Sequence, residues 1–243
     1  SLLVFSGNNN YTGTTSVTAG TLLVNGVQTA ATGAVTVGGA TATGTPTLGG
    51  TGTVGGAVTV AAAGAGAAGT LSPGAAGVNG GIGTLTVANG VTLQNGTTYA
   101  FGLNEPGAAI VGGFNSGASS TPGTNSDLLV ITGGTNTLTA ASAFTFAITS
   151  NTVLDVNQWY SFLVAQTAGT PTLGGTVTFN TANAANAGGF ADYVAGGGVL
   201  SLDVSGTAVY LNASPIPEPA TVGLVAVAGL GLLGYARRRR TAA

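Results

Sequence analysis

The chain has 243 residues, of which 44 % are hydrophobic and only 4 % are charged. It contains no Cys, which excludes disulfides and thiolate metal sites, and no His or Lys, which removes two common catalytic bases. Its four basic residues are Arg237, Arg238, Arg239 and Arg240, so no cation remains elsewhere to neutralise phosphates, and nucleic-acid binding is excluded.

High hydrophobicity combined with low net charge predicts a packed chain rather than a disordered one. The chain also lacks Met, so we expect a signal peptide to have been removed or to lie upstream. Residues 1–213 are predicted to form one repeat body. That body is either complete or the C-terminal part of a longer repeat region.

The first 26 residues, SLLVFSGNNNYTGTTSVTAGTLLVNG, place a turn rich in Gly and Asn before a Gly-Thr-Leu strand. This segment resembles the autotransporter-associated β-strand repeat. Three later segments resemble the same class of passenger domain: GTLSPG (69–74), SDLLVITG (126–133) and NQWYSFLVAQTAG (157–169). The resemblance implies a right-handed parallel β-helix. An autotransporter carries a β-barrel after its passenger domain, whereas this sequence has a different segment in that place. We therefore expect the chain to be exported by another route.

Alternation of Val or Leu with Thr recurs along the body, for example in AVTVGG (34–39), AVTVAA (57–62) and GTLTVANGVTLQNG (83–96). Runs of period two that are bounded by Gly and Asn predict short strands joined by tight turns. The octapeptide GTPTLGGT occurs twice, at 44–51 and 169–176, which indicates internal repetition. We predict an all-β solenoid of about ten coils, at periods of about 20 residues. The alternative is a β-sandwich.

Two segments break this pattern. Residues 102–127 mix Pro, Gly, Ser and Asn without alternation and predict a projecting loop. Residues 140–165 are rich in aromatic side chains, which favours a larger core or a cap in the last coils. A sharper interpretation is a sugar platform formed by the neighbouring aromatics Trp159 and Tyr160.

The acids of the body are isolated in sequence, which argues against a catalytic pair and against a metal site. They are Glu105, Asp127, Asp155, Asp192 and Asp203. We expect Asp127 to lie in a solvated turn. We predict that the chain is not an enzyme and requires no metal or cofactor.

The C-terminal segment has three parts. A Pro-rich stretch at 214–219 contains Pro217, Glu218 and Pro219, and is expected to be extended. Residues 220–236 carry no charge and, as a helix, would measure about 25 Å, which is sufficient for a short transmembrane helix. Residues 237–243 begin with the four Arg, which the positive-inside rule places in the cytoplasm.

An ordinary membrane anchor would explain the apolar segment and the arginines, but not the Pro-Glu-Pro directly before them. The order of the three parts resembles the PEP-CTERM sorting signal of Gram-negative bacteria. The resemblance implies recognition by an exosortase, a membrane protease, and cleavage near Pro217, Glu218 and Pro219. It also implies anchoring in the inner membrane before processing, followed by transfer to the cell surface or extracellular matrix.

The leading functional prediction is a non-enzymatic structural protein of the cell surface or matrix, able to self-associate through the ends of the solenoid. The alternative is an adhesin that binds polysaccharide or a neighbouring cell. A third hypothesis is ice binding, suggested by Thr-x-Thr segments. It requires a regular Thr array on one face, and the irregular spacing of Thr along the sequence argues against it.

Overall fold

Alternating Val, Leu and Thr residues form short strands that assemble into three sheets of mainly parallel strands. The computed structural model describes residues 1–74, 81–104, 115–117, 119–133, 136–150, 152–182 and 189–215. Over these residues the protein is all-β, and its parallel ladders are consistent with a solenoid. A β-sandwich is built mainly from antiparallel sheets, so this topology does not favour the alternative prediction.

Sheet A contains, in spatial order, β1 (Leu2–Phe5), β3 (Thr21–Val24), β6 (Thr47–Gly50), β10 (Thr70–Pro73), β13 (Thr97–Leu103), β16 (Phe144–Ser150) and β19 (Val177–Asn180). Sheet B contains β2 (Thr15–Val17), β5 (Val35–Gly39), β8 (Val58–Val60), β12 (Val91–Leu93), β15 (Leu138–Ala140) and β18 (Thr172–Leu173). Sheet C contains β4 (Val27–Gln28), β7 (Thr53–Val54), β11 (Thr84–Val87), β14 (Leu128–Ile131), β17 (Tyr160–Gln166), β21 (Ala208–Ser214) and β20 (Val199–Ser205). The short strand β9 (Ala67–Ala68) pairs antiparallel with β5.

From β3 to β19 the chain passes through the sheets in the repeating order A, C, B, and each passage adds one strand to each sheet. We call one such passage a coil. Sheet A has seven strands over the described part of the chain, so the prediction of about ten coils was too high. The coils are longer than 20 residues because turns and loops of variable length join the strands.

The interior is filled by side chains stacked from coil to coil. In sheet A one inward ladder runs through Leu22, Leu48, Leu71, Tyr99 and Phe146, all of them buried. The ladder therefore changes from Leu to aromatic residues toward the C-terminal coils. Each such side chain contributes about 1.5–3 kcal/mol through burial, so the stack supplies much of the stability of the body. The buried positions of Phe144, Phe146 and Phe162 confirm that the aromatic segment forms core.

Glycines occupy corners where successive coils approach closely. Gly13, Gly33 and Gly56 lie one above the other, and a Cβ on Gly56 would overlap the carbonyl oxygen of Gly33. A Cβ on Gly33 would overlap the carbonyl oxygen of Gly13 in the same way. Gly33 and Gly56 require Gly because the backbone of the preceding coil leaves no room for a side chain.

We therefore expect Gly56→Ala to lower the free energy of unfolding by about 1–3 kcal/mol through overpacking. Gly13→Ala is the matched control, because a Cβ on Gly13 would meet no atom within 4 Å. Thermal denaturation followed by circular dichroism compares the two variants. Equal melting temperatures would contradict the close approach of the coils.

The stack changes character at its C-terminal end. After β19 the chain forms a short helix, α1 (Phe190–Ala195), and then the hairpin of β20 and β21. Strand β21 lies between β17 and β20 and is antiparallel to both. The helix was not predicted, because six residues are too few to show helical periodicity. Its Phe190 and Tyr193, spaced i and i+3, are buried against the core.

Within the described residues, the structure contains no helix whose length and hydropathy suit a membrane crossing. The predicted transmembrane helix at 220–236 and the cytoplasmic tail at 237–243 lie outside the described residues.

Candidate functional site

The folded body ends almost at the Pro-rich motif. Strand β21 runs to Ser214, and its last residues pair with β17 on one side and with β20 on the other. Only Pro215 and Ile216 separate Ser214 from Pro217. Because a fully extended residue spans at most about 3.6 Å, the motif begins within about 11 Å of the end of the strand. We call Ser214, Pro215 and Ile216 the sorting junction.

Buried contacts hold β21 in the sheet. Its Val209, Leu211 and Ala213 are core residues. On the same strand the Asn212 side-chain amide donates to Asp203 Oδ2 at 2.7 Å and to Asn115 Oδ1 at 2.9 Å. These bonds join β21 to β20 and to a distant loop, so the strand before the junction is fixed on several sides.

That loop belongs to the segment that was predicted to project from the body. Its described residues instead lie against sheet C, where Ser119 and Ser161 exchange two hydrogen bonds, each 3.1 Å long. The Asn115 backbone N–H donates to Asn212 Oδ1 at 3.2 Å, and Asn115 has a positive φ of 62°. The loop covers the outer side of β17, which explains why this strand is buried on both faces.

Asp127 is buried, and the prediction that it lies in a solvated turn was wrong. It precedes β14, is 3 % exposed, and accepts backbone N–H bonds from Gly83 at 3.0 Å and from Gly102 at 2.7 Å. Burial raises the pKa of Asp127 to about 8, although the N–H groups of Gly102 and Gly83 act to lower it. The carboxyl group thus joins two coils at the base of the loop. No local sequence signal distinguishes it from the other acids.

The two candidate ligand-contact aromatics are placed differently. Tyr160 is 3 % exposed, stacks on Phe162, and accepts the backbone N–H of Asp155 at 2.7 Å through its hydroxyl oxygen. Trp159 is 38 % exposed. The structure therefore does not bring the two rings together on one exposed platform. Of the pair, Trp159 alone is accessible to a ligand.

The described acids lie on different elements: Asp127 precedes β14, Asp155 precedes β17, Asp192 is in α1 and Asp203 is in β20. Glu105 lies outside the described residues. In the part of the chain that the structure describes, no three residues among Asp, Glu, His and Cys are grouped to hold a metal ion. Two of these acids accept structural hydrogen bonds. Asp203 accepts one from the side-chain amide of Asn212, and Asp127 accepts two from backbone N–H groups.

Beyond the sorting junction, the chain has the Pro-Glu-Pro motif, the uncharged segment and the four arginines in order. Residues 215–240 match the PEP-CTERM protein-sorting motif. The match confirms the resemblance noted at this end of the sequence. A search of curated proteins found no significant match to the chain. The resemblance of residues 1–26 to autotransporter-associated repeats stays a prediction.

The PEP-CTERM motif indicates an exported protein that is targeted to an exosortase-type membrane enzyme for processing. It also implies that the protein is anchored at the membrane before processing. Pro217, Glu218 and Pro219, and the arginines Arg237 to Arg240, fall inside the matched range but outside the described residues. Their individual roles in cleavage and orientation stay predictions.

Proposed function

We propose that the chain is a non-enzymatic structural protein of the cell surface or extracellular matrix, built as a right-handed parallel β-helix. The observation that carries the proposal is the match of residues 215–240 to the sorting motif, directly after a strand fixed in the body. A sorting signal assigns a destination outside the cytoplasmic membrane. The function at that destination is then carried out by the body, residues 1–213.

The chemistry of the body supports a structural role. Residues 1–104 contain no charged side chain at all, and the described acids are spread over separate elements. Stacked coils with a continuous apolar interior form a stiff rod, since each coil is held by the ladders on both sides. Such a rod suits a spacer or scaffold in a polymer layer.

The short sorting junction sets the geometry before processing. Residues 220–236 would cross the inner membrane, with the arginines on the cytoplasmic side. The six residues from Pro215 to Ala220 reach at most about 22 Å when extended, so the C-terminal coils lie close to the outer side of the membrane. Cleavage near Pro217 to Pro219 would release the body with β21 complete.

Removal of the gene tests the structural role. We expect a deletion strain to lose part of its extracellular matrix, measured as dry mass and as mechanical stiffness of the cell layer. The wild-type chain should restore both properties, whereas a chain that lacks residues 215–243 should restore neither, because it cannot be sorted. A matrix that is unchanged by the deletion would contradict the proposal.

Adhesion to polysaccharide is the second candidate function, and the exposure of Trp159 is the observation that favours it. An exposed Trp ring supplies a flat apolar surface for a sugar. If this function is correct, Trp159→Ala should lower the binding of the chain to the polysaccharide of its own matrix at least several-fold. Val153→Ala is the matched control, because Val153 is also an exposed apolar residue and precedes β17 by seven residues in the chain. Equal binding by both variants would rule out the Trp159 site.

A further inference from the structure

The outer face of sheet A carries an unbroken column of threonines. The strand register aligns one Thr from each of six successive coils, and the column ends beside Leu2 of β1. Its members are Thr21, Thr47, Thr70, Thr98, Thr145 and Thr178. We call this column the sheet A ladder. Sheet B has a similar column, in which Ser16 is followed by five threonines: Thr36, Thr59, Thr92, Thr139 and Thr172.

The third face differs. The corresponding column of sheet C runs through Val27, Thr53, Thr86, Val130 and Gln166. Strand propensity alone would favour Thr on all three faces, since β-branched residues are common in strands. Because sheet C lacks such a column, strand propensity alone does not explain the threonine ladders on the outer faces of sheets A and B.

The ladder could not be recognised along the sequence. Thr98 and Thr145 are adjacent in the sheet, although the loop that begins after β13 separates them in the chain. The irregular spacing that argued against ice binding is thus a product of insertions at the corners of the coils. In three dimensions the threonines repeat at the strand spacing, about 4.8 Å.

We propose that the outer face of sheet A binds ice through the sheet A ladder. A Thr hydroxyl both donates and accepts hydrogen bonds, as a lattice water does, and its methyl group adds a small apolar surface. The stiff χ1 of a β-branched side chain and the hydrogen-bonded strands hold the threonine side chains in a row. Within that row the Thr47 hydroxyl donates to the Thr45 carbonyl oxygen at 3.1 Å and can still accept a hydrogen bond. A fixed row can match the rows of water oxygens at a crystal surface with little loss of conformational entropy.

Other ligands fit this face less well. Residues 1–104 supply four of the six levels and contain no charge, so the face cannot attract nucleic acid, acidic polymers or lipid headgroups. The parallel outward column beside the ladder includes Gly49, Ser72, Ala100 and Ala147, which offer no aromatic ring on which a sugar could stack.

The area of the face argues against a second copy of the chain. Five strand spacings give a length of about 24 Å, and four residues give a width of about 13 Å. Such a face offers roughly 300 Å² per partner, below the approximately 1,000 Å² in total that a specific protein interface needs. An extended crystal surface does not have this limit, because many chains bind the same crystal. The proposed activity does not depend on the structural role.

Partitioning into ice tests the proposal. The full chain, carried in lipid nanodiscs, is mixed with a slowly growing ice front, and its amount in the ice is compared with that of empty nanodiscs. We expect enrichment of the wild type and loss of that enrichment in the double variant Thr47→Lys and Thr98→Lys. The matched control is Thr53→Lys and Thr86→Lys on sheet C, two residues that are also half-buried, and it should stay enriched.

Lysine changes the charge of the face, so the same pairs are also changed to Val, which keeps the shape and strand propensity but removes the hydroxyl groups. Circular dichroism confirms that each variant is folded. Enrichment that is lost only with the sheet A pair supports the proposal. A wild type that is no more enriched than empty nanodiscs overturns it, as does equal loss in the sheet C pair. Sedimentation that shows dimers dissociated only by the sheet A variants would assign the face to self-association instead.

Discussion

The free energy of unfolding is expected to fall as the pH rises from about 4 to about 8, because Asp127 is buried and no side-chain cation accompanies it among the described residues. Its pKa of about 8 in the folded chain compares with an ordinary value of 3.8. Between these values the folded state keeps a proton that the unfolded state releases, so the stabilisation is complete below pH 4 and is lost through pH 8. At about 1.36 kcal/mol for each pKa unit, the loss is on the order of 5 kcal/mol.

Urea denaturation at pH 5 and at pH 8 measures this difference. Asp127→Asn is the control, because the amide has a similar shape, can accept one of the two N–H bonds and does not titrate. We expect the variant to lose most of the pH dependence that the wild type shows between these values. Equal stability of the wild type at both pH values, or the same pH dependence in the variant, would contradict the assignment to Asp127.

Replacement of Pro217, Glu218 and Pro219 by Ala is expected to block processing almost completely. The three residues lie within the matched sorting motif and precede the uncharged segment, so their loss removes the predicted recognition sequence and leaves the anchor intact. The full-length chain should accumulate in the inner membrane, and an immunoblot of membrane and extracellular fractions measures the shift.

Ser214→Ala is the control for this experiment. Ser214 is the last residue of β21, and its hydroxyl makes a long contact of 3.4 Å with the Val199 carbonyl oxygen. The substitution leaves the Pro-Glu-Pro motif unchanged. Processing of this variant should equal that of the wild type. If the triple Ala variant is also processed normally, the recognition sequence must lie elsewhere in residues 215–240.

The sorting signal could be predicted from the sequence because it is local. Its three parts are contiguous, and each has a separate physical meaning: an extended motif, an uncharged segment and a cationic end. The strands were predictable for a similar reason. In β11 and β12, Val and Leu point into the core and Thr points outward, and this alternation can be read directly from residues 84–93.

The assignment of strands to sheets could not be predicted. The octapeptide GTPTLGGT forms β6 of sheet A at its first occurrence and β18 of sheet B at its second. Its pattern specifies an outward Thr and an inward Leu, but not the position in the coil. Position depends on the lengths of the preceding turns, which vary, and this variation also concealed the threonine ladders.

Burial that depends on distant loops was equally inaccessible. Strand β17 is buried on both faces because residues near 119 cover it, and Asp127 is buried because Gly83 and Gly102 surround it. No short segment contains these contacts. Tyr160 was predicted to contact a ligand because it follows Trp159 in the sequence. In the structure its side chain is buried in the core.

The mature C-terminus of the chain provides the most direct test that it is an exported substrate of an exosortase. Mass spectrometry of the protein from intact cells, and from cells that lack the exosortase, determines that terminus. We predict a chain that ends near Pro217, Glu218 and Pro219 in normal cells, and a chain that retains residues 220–243 in cells that lack the exosortase. A chain that retains residues 220–243 in normal cells would contradict this prediction and would leave only a membrane anchor.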